Sequence, residues 1–523
     1  MSQRIEGRQT SGLLSGYELS RRELLGSLAL VGLSACTNSV TGHSKRVPPS
    51  SSAMTSTTSV LPEADVFTRQ LERATFGVTA DLRAQVSAAG GLSRWLDSQL
   101  DPGNLVPDKD SAALLSEIDS RFDTGSRSSF KAQDRSFARN AALETITGRT
   151  IMGAAFGADQ LRQRVVGILS DLLHVSSAVQ PEIFWICDYD QVLRDGALGR
   201  FSDLLVAAAR QPAMLSFLDQ GTSRADGTNI PNENFAREVM ELHTVGVDGG
   251  YDETDVVELA HVLSGWSMDR RSGAYLYRPE WHNPGPFETS GDILGWNPQN
   301  RDSGERLGED ALNYLAHHRS TARRLAHIFA KSLVSESIAA DDDLVEESAR
   351  IYLYNDTRIG PMVKHLLVDD RFATESTLML RRPIDLVAHI LRLTGSPKVS
   401  DLDTALPSLV GIMHVLGQVP YAWPAPNGFP TASAAWSNAG ATISRWNAIN
   451  TFVVTGTATT NEPTSSTPTD SPTEPLTKGG RSRGQRKGGS ASHLGITLDP
   501  GSVGASGPDD LISVLCSPQH QVF

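Results

Sequence analysis

The sequence predicts a mainly α-helical protein, with a multi-helical single body, one small β-hairpin and flanking disordered tracts. Apolar residues recur at helical spacing through residues 64–454, whereas the alternation typical of strands is scarce. Two tracts, at residues 37–61 and 455–507, are rich in Ser, Thr, Pro and Gly and contain almost no large apolar residues. We expect these tracts to be disordered, because burial of apolar surface cannot offset the entropy of ordering them.

Stripes of apolar residues define the predicted helices in chain order. Each stripe lies on one face of a helix of 3.6 residues per turn and is predicted to form core. Pro212 and Pro383 suit the first turns of two further helices, because a proline lacks the N–H group that this position leaves unpaired. The stripes are Phe67, Leu71 and Ala74 before Gly77; Leu92, Trp95, Leu96 and Leu100; Leu161, Val165, Ile168, Leu169 and Leu172; Leu198, Phe201, Leu204, Leu205 and Ala208; and Leu325, Ile328, Phe329 and Val334.

One pair of short segments carries strand-like alternation. Ala274 to Tyr277 alternates in polarity, and Asp292 to Trp296 does so a short distance further along the chain. Two such runs joined by a loop are typical of a hairpin. We therefore expect these two segments to pair.

Composition divides the chain into five parts. Residues 1–35 are predicted to be an export signal, 36–63 a disordered tether, 64–454 the helical body, 455–507 a low-complexity basic insertion and 508–523 a C-terminal helix of the body. A run of basic residues in the insertion either contacts anionic lipid or polymer, or is simply solvated. These residues are Lys478, Arg481, Arg483, Arg486 and Lys487.

The N-terminus carries a basic pair followed by a short apolar run, which is the pattern of an export signal. Arg21 and Arg22 resemble a twin-arginine signal, which implies the twin-arginine translocase as a partner during export. The alternative is an ordinary Sec signal with a chance arginine pair. The apolar run at residues 24–35 has about half of the roughly twenty residues that a membrane-spanning helix needs. It therefore predicts export and not a membrane span.

Leu33, Ser34, Ala35 and Cys36 resemble a bacterial lipobox, in which the cysteine is acylated and the chain is cut just before it. A plain cleavage site is the alternative. Two or three acyl chains hold a protein firmly on a bilayer, whereas one chain binds only marginally. We therefore expect an exported cell-envelope protein, whose partner is the membrane and whose lipid on Cys36 anchors it to the outer face of a bacterial membrane.

The composition also excludes several functional classes. The 47 basic and 60 acidic residues give a net charge of -13, which argues against a nucleic-acid partner because phosphate contacts need a surplus of basic residues. Three cysteines are too few for a disulfide scaffold, and Cys187 and Cys516 are predicted either to form one disulfide or to stay unpaired. The chain contains no nucleophile elbow, phosphate-binding glycine loop, dinucleotide fingerprint or His-Glu-x-x-His motif.

The densest polar pattern of the chain lies at residues 232–246. At 100° per residue, Asn234, Arg237, Glu238 and Glu241 fall within about 100° of one helix face. In one interpretation the face is solvated and carries a simple Arg–Glu pair four residues apart. In the other it is a partly buried row, in which the amide and the guanidinium position the carboxylates for acid–base work or metal binding.

Three neighbouring motifs give further candidates. His243 lies about 180° from the amide of the row on a regular helix, so it joins the carboxylates only if the helix ends first. Glu258 and His261 have the Glu-x-x-His spacing of half a di-iron site, but the sequence holds no second copy, and no metal site is predicted. Asp252 and Asp255 resemble a helix N-cap followed by a carboxylate in the first turn.

The stretch Asn-Phe-Ala-Arg-Glu-x-Met-Glu-Leu at residues 234–242 resembles the bacterial family known as domain of unknown function 1800. Further similar stretches lie at residues 65–77, 211–219, 415–418 and 515–519, so the resemblance covers nearly the whole body. It implies an exported, mainly helical protein.

The chain departs from the family pattern at two places. Many members carry a Trp-His-Asn-His type of run, whereas the corresponding residues 169–177 contain only His174, so the resemblance does not carry a metal role over to this chain. We interpret His174 as a core histidine. The His-Asp pair of the family corresponds here to His282 and Asn283, which lack the carboxylate.

Two functional classes remain open from the sequence. In the first, the protein is an envelope-associated hydrolase or lyase, with Glu238 or Glu241 as general base and Arg237 steadying an anion. Asn234 then orients a water or substrate. In this hypothesis the helical body forms a pocket around these four residues, with His282 near its rim. In the second, the protein is a non-catalytic envelope binding or assembly protein, and the row is a structural ion-pair network. The ligand is an envelope component or a small molecule, and the sequence identifies no cofactor.

Overall fold

Local signals in the sequence start the helices in the computed structural model. Helix α1 (Val66–Ala74) begins after Asp65, whose side-chain oxygen accepts a hydrogen bond of 2.7 Å from the backbone N–H of Thr68. Pro212 and Pro383 occupy the first turns of their helices, as predicted. A capping side chain satisfies an N–H group that the helix start leaves unpaired, and a proline removes one.

The structure describes residues 65–125, 135–178, 182–269, 272–283, 293–298, 304–373, 378–395, 397–457, 505 and 507–522. The predicted export signal and tether, and most of the basic insertion, lie outside these residues. After α1, the α-helices are α2 (Ala80–Ala89), α3 (Leu92–Gln99), α4 (Lys109–Gly125), α5 (Arg135–Phe156), α6 (Gln160–Leu172), α7 (Ile186–Gly196), α8 (Phe201–Ala209), α9 (Pro212–Phe217), α10 (Asn234–Glu238), α11 (Glu253–Val262), α12 (Glu305–His317), α13 (Arg319–Leu333), α14 (Asp343–Tyr354), α15 (Ile359–Leu367), α16 (Pro383–Thr394), α17 (Leu402–Leu416), α18 (Ala439–Thr457), α19 (Pro508–Cys516) and α20 (Pro518–Gln521).

The hairpin is present, but the predicted pairing was wrong. Strand β2 (Tyr275–Tyr277) pairs antiparallel with β1 (Trp266–Met268), which precedes it in the chain. Within the described part of the second predicted strand, Ile293 and Trp296 instead bridge to each other across a tight turn. Strand β1 is the partner because its side chains are buried. Asp269 also closes the connecting turn, since its side chain accepts a hydrogen bond of 2.7 Å from the Ser272 backbone N–H.

Two apolar cores hold the helices together. The larger core is built from α1 to α3, α6 to α15 and the hairpin, and it contains Phe201 and Trp266. The smaller core is built from α4, α5 and α16 to α19, and it contains Leu406 and Met413. Helix α5 contributes to both, with Ile146 in the larger core and Ile151 in the smaller one. The boundary between the cores therefore runs past the middle of α5.

The predicted fold class is confirmed. The chain is mainly α-helical, and residues 61–523 group as one compact unit. The C-terminal residues pack as α19 against α18 and as α20 against α16, and the backbone N–H of Arg381 donates a hydrogen bond of 2.9 Å to the carbonyl of Gln521. Among the described helices, none combines the length and the apolar character needed to cross a bilayer.

Candidate functional site

The charged row predicted at residues 234–241 starts as helix α10 and continues as a π-helical turn, Val239–His243. The structure differs here from the regular helix expected from the sequence. Buried residues recur in pairs four positions apart, a longer period than the 3.6 residues of an α-helix, and the wider turn keeps each pair on the core side. Turns of this kind are rare and often occur at functional sites. The buried pairs are Phe235 and Ala236, Val239 and Met240, and His243 and Thr244.

Arg237 joins three carboxylates, those of Glu233, Glu241 and Glu253, and we call these four residues the Arg237 cluster. The two terminal guanidinium nitrogens donate hydrogen bonds of 2.9 and 2.7 Å to the two oxygens of Glu253, and one also donates to Glu233 at 3.2 Å. The Glu241 carboxylate lies 3.7 Å from the guanidinium, so the predicted pair four residues apart is present. Hydrogen bonding to Glu253 is the largest cause that raises the pKa of Arg237. Since Glu253 is the first residue of α11, the cluster links α10 to α11.

Glu238 stands apart from the Arg237 cluster. Its side chain is half-buried, and no ion pair within 4 Å or hydrogen bond joins it to another described residue. Burial raises the pKa of Glu238 to about 7, and the negative charge of Glu241 acts in the same direction, whereas Arg237 opposes both. A carboxyl group with such a pKa can both give and take a proton near neutral pH.

Tyr251 and Asn234 complete the surroundings of the row. Burial and, next to it, the nearby carboxylate of Glu241 raise the pKa of Tyr251 to about 12. Asn234 is the first residue of α10 and is half-buried, and its backbone N–H donates a hydrogen bond of 2.9 Å to the side chain of Asn232. The four predicted row residues thus lie on consecutive turns, and three of them are coupled through charge.

His282 lies at the end of the hairpin and has a different set of partners. Its Nδ1 lies 2.9 Å from the carbonyl oxygen of Ser264, and its ring centroid is 5.8 Å from that of Tyr277. Burial lowers the pKa of His282. His261 contacts the residue that follows His282, with its Nδ1 3.1 Å from the carbonyl oxygen of Asn283. Among the described contacts, none joins His282 to the Arg237 cluster.

His243 is part of the core beneath the π-helical turn. Its Nδ1–H donates a hydrogen bond of 2.8 Å to the carbonyl of Leu172 at the end of α6. Burial is the largest cause that lowers the pKa of His243, to about 4. The ring is therefore neutral at physiological pH and fixes the turn against α6.

The N-cap predicted at Asp252 is confirmed. Its side chain accepts hydrogen bonds from the backbone N–H groups of Thr254 and Asp255, at 2.7 and 3.2 Å. The Asp255 side chain in turn accepts a bond of 2.8 Å from the backbone N–H of Asp252, which completes a capping box. The acidic residues of this loop therefore start a helix, and the cap fixes the position of Glu253 beside Arg237.

A second polar site lies in the interior, at a place where the sequence predicted no functional residue. This interior cavity lies at the boundary between the two cores, among α6, α7, α16 and residues 418–431. The centre of a water molecule can move through about 80 Å³ of it. Three Arg–Asp pairs line it, and all six side chains are largely buried. The pairs are Arg164 with Asp385 at 2.7 Å, Arg194 with Asp190 at 2.5 Å and Arg382 with Asp171 at 2.5 Å.

Aromatic side chains form another part of the cavity wall. His174, Tyr421 and Phe429 are buried there, and the ring of His174 lies nearly parallel to that of Tyr421, with centroids 6.3 Å apart. Burial lowers the pKa of His174, which agrees with its interpretation as a core histidine. The Tyr421 hydroxyl donates a hydrogen bond of 2.9 Å to Asp190. Tyr421 has a φ of 58°, which is strained for a bulky residue, and such strain occurs preferentially at functional sites.

The sequence contains a signal that could have revealed this cavity. Arg164 and Asp171 each follow a residue of the predicted apolar stripe of α6 by three positions, namely Leu161 and Ile168. A charged residue on the core face of a helix has to be paired or to serve a function, because an isolated buried charge is unfavourable. The apolar stripe predicts core, whereas the charged positions on the same face indicate this cavity.

The cysteines and the metal-ligating residues form no further site in the described part of the chain. Cys187 and Cys516 are both free thiols, so the unpaired alternative is confirmed. Burial raises the pKa of the Cys187 thiol, which leaves it unreactive. No group of three or more His, Cys, Asp or Glu side chains among the described residues is arranged to hold a metal ion.

Comparison with known proteins identifies the family. A family model described as a protein of unknown function, DUF1800, matches residues 69–514. No curated protein and no solved structure matches the chain. The matched region spans α10, the π-helical turn and the helices that line the interior cavity. The resemblance found in the sequence is therefore confirmed, and the chain belongs to the DUF1800 family.

Proposed function

We propose that this protein is an exported, lipid-anchored protein of the bacterial cell envelope, whose helical body performs acid–base chemistry with Glu238. The observation that carries the biochemical part is the contrast between two carboxyl groups three residues apart. Glu241 shares the guanidinium of Arg237, whereas Glu238 is half-buried and outside the ion pairs. A half-buried carboxyl group with a raised pKa, beside a second carboxylate, is typical of acid–base groups in enzymes.

The residues of the row take distinct roles in this proposal. Glu238, with its pKa raised to about 7, holds a proton near neutral pH and transfers it to or from the substrate. Burial is the main cause of that raised pKa and the negative charge of Glu241 adds to it, while Arg237, 3.7 Å away, holds the Glu241 carboxylate in position. Asn234 offers an amide that orients a water or a substrate hydroxyl. The proposed reaction class is hydrolysis or elimination on envelope material.

One observation favours the alternative function, a non-catalytic envelope binding or assembly protein. The two-oxygen contact between Arg237 and Glu253 joins α10 to α11 and looks like a helix clamp. Charge-assisted pairs with two parallel hydrogen bonds are well suited to holding elements in register. In this alternative Glu238 transfers no proton to a substrate, and the Arg237 cluster acts only on stability.

The activity is tested with the purified full-length chain on a panel of chromogenic esters, amides and glycosides. We expect Glu238→Gln to lower the rate on the accepted substrate by at least about a hundredfold, since general acid–base groups contribute about 10²–10⁴-fold. Glu253→Gln is the matched control, because it removes a carboxylate of the Arg237 cluster and leaves Glu238 in place. The wild-type rate should also titrate near pH 7. Activity on no substrate of the panel, or equal activity in both variants, would support the non-catalytic alternative.

The anchor is tested by fractionation of the cells that express the protein. We expect Cys36→Ser to move the protein from the membrane fraction to the soluble fraction, because the acylated sulfur is lost. Cys516→Ser is the matched control and should leave the protein on the membrane. Replacement of Arg21 and Arg22 by lysines should block export if the signal is of the twin-arginine type. Retention of Cys36→Ser on the membrane would refute the lipid anchor.

A further inference from the structure

The interior cavity concentrates charge where a protein core normally has none. Each of its three ion pairs is largely removed from solvent, with side chains that range from Asp190 at about 1% exposed to Arg382 at about 17%. Apolar residues of similar volume often stabilise a protein as well as or better than such buried pairs. Three pairs around one cavity therefore indicate a binding role beyond stability, because ligand pockets combine apolar walls with a few converging polar groups.

The charges of the cavity balance each other, and this limits the chemistry of an occupant. Three guanidinium groups face three carboxylates, and the wall histidine, His174, is buried with a lowered pKa. A charged ligand would have to leave water without finding an uncompensated opposite charge, which is strongly unfavourable. A neutral ligand avoids this penalty. The balance therefore favours a neutral polar molecule over an anion or a cation.

The polar groups of the cavity can both donate and accept hydrogen bonds. Guanidinium groups only donate and carboxylates only accept, whereas a hydroxyl group does both. A molecule with several hydroxyl groups can therefore bridge an arginine and its aspartate partner without unbalancing the pair. Tyr421 and Phe429 add apolar ring surface to the same wall. This surface can contact the C–H groups of such a molecule.

We propose that the interior cavity binds a small neutral polyhydroxylated molecule, of the class of a single sugar unit, between the three Arg–Asp pairs and the aromatic wall. This binding site goes beyond the proposed acid–base function of Glu238, and it stands on different residues. The position of the cavity supports it, since sites for small ligands occur between packed helices. Its lining includes residues of two of the stretches that resemble the family, Phe76 in residues 65–77 and Gln418 in residues 415–418.

The rim of the cavity allows a test that leaves the buried charges intact. Thr431 lines the cavity and is exposed, so a larger side chain at this position can narrow the entrance without opening the core. Thr431→Trp is therefore the blocking variant. Thr404→Trp is the matched control, because Thr404 is also exposed and lies on α17 outside the cavity lining. Circular dichroism of both variants checks that they fold like the wild type.

The binding experiment uses calorimetric titration of the purified full-length chain with glucose, galactose, N-acetylglucosamine, inorganic phosphate and glycine. We expect saturable binding of at least one of the sugars, and no binding of phosphate or glycine. In Thr431→Trp the affinity for that sugar should fall at least about tenfold, a change of about 1.4 kcal/mol, whereas Thr404→Trp should match the wild type.

Three outcomes would overturn the proposal. The first is the absence of binding for every sugar in the panel. The second is binding of phosphate or glycine in place of the sugars, which would show that the cavity selects charge. The third is wild-type sugar affinity in a folded Thr431→Trp variant, which would show that the sugar binds outside the interior cavity. None of these outcomes bears on Glu238, whose role is tested by its own activity assay.

Discussion

Two regions of this protein carry the same local pattern, an acid and an arginine four residues apart on a helical segment, yet they differ in their environments. Asp190 and Arg194 are about 1% and 8% exposed, and their side chains lie 2.5 Å apart on the wall of the interior cavity. Arg237 and Glu241 are about 31% and 28% exposed, and they lie 3.7 Å apart. The buried pair also has the more favourable order, with the acid before the base.

The difference shows that spacing identifies a pair but not its role. In the buried pair, each group depends on the other, because a single charge without its partner is strongly unfavourable in the core. In the Arg237 cluster, water solvates the exposed charges. The loss of one carboxylate is therefore compensated by water and by the other two carboxylates. The half-buried Glu238 is intermediate, since it is removed from part of the solvent and has no cation of its own.

The largest expected effect is on the buried pair. We expect Asp190→Ala to lower the free energy of unfolding by about 3–5 kcal/mol, because Arg194 would stay buried without its carboxylate and Tyr421 would lose its acceptor. Urea denaturation measures this change. Replacing both partners, with Asp190→Leu and Arg194→Met, should cost much less. A loss below about 1 kcal/mol in Asp190→Ala would mean that water reaches the pair and that the contrast with the Arg237 cluster is false.

An intermediate effect is expected at Glu238, and it depends on pH. The pKa of this carboxyl is raised to about 7 on folding, from an ordinary value of 4.5, so the folded protein holds the proton more tightly. The stabilising contribution is therefore present below about pH 4.5 and is lost as pH rises through 7. We expect Glu238→Gln to remove this loss and to be more stable than the wild type above pH 7, by about 1–2 kcal/mol after allowance for partial solvation.

Thermal or urea unfolding at pH 5, 6, 7 and 8 measures the difference between the two proteins. Glu233→Gln is a suitable control, because Glu233 is about 40% exposed and pairs with Arg237. Parallel stability curves for wild type and Glu238→Gln across this range would show that Glu238 is ionised throughout, and the proposed proton transfer would then lose its support.

The smallest effect is expected at the rim of the Arg237 cluster. Glu253 is about 76% exposed although both of its oxygens accept hydrogen bonds from Arg237. We expect Glu253→Gln to change the free energy of unfolding very little, since water screens an exposed ion pair and ordering its two side chains costs entropy. The change should shrink further in 1 M salt, which screens exposed charges. A loss comparable to that of Asp190→Ala would instead identify the Arg237 cluster as a structural clamp.

Much of the fold was predictable because its signals are local. Pro212 and Pro383 start helices, Asp252 caps one, and the stripe from Leu161 to Leu172 forms the buried face of α6. Each of these signals acts within a turn or two of chain, where sequence spacing determines spatial neighbours. The prediction of the hairpin was wrong about the partner of β2. Strand pairing depends on which of two segments can be buried, and the spacing of residues does not report burial.

The candidate site was predictable only in part. The sequence located Glu238 and Glu241 on one turn, but it could not show that Glu238 would be half-buried and outside the reach of an ion pair. It missed the interior cavity, whose ion-paired side chains are up to 221 residues apart in the chain, as in the Arg164 to Asp385 pair. Electrostatic energies depend on distance and on burial, and both are set by the packing of distant segments.

The sequence by itself determined the helical class, the starts and stops of several helices and the family of this protein, because these follow from short-range geometry and from residue patterns. The tertiary structure alone decided which charges are buried, which strand pairs with Tyr275–Tyr277 and where the two cores meet. The physical reason is that solvent exclusion is a property of the packed chain, and the strength of each ion pair and the pKa of each carboxyl depend on it.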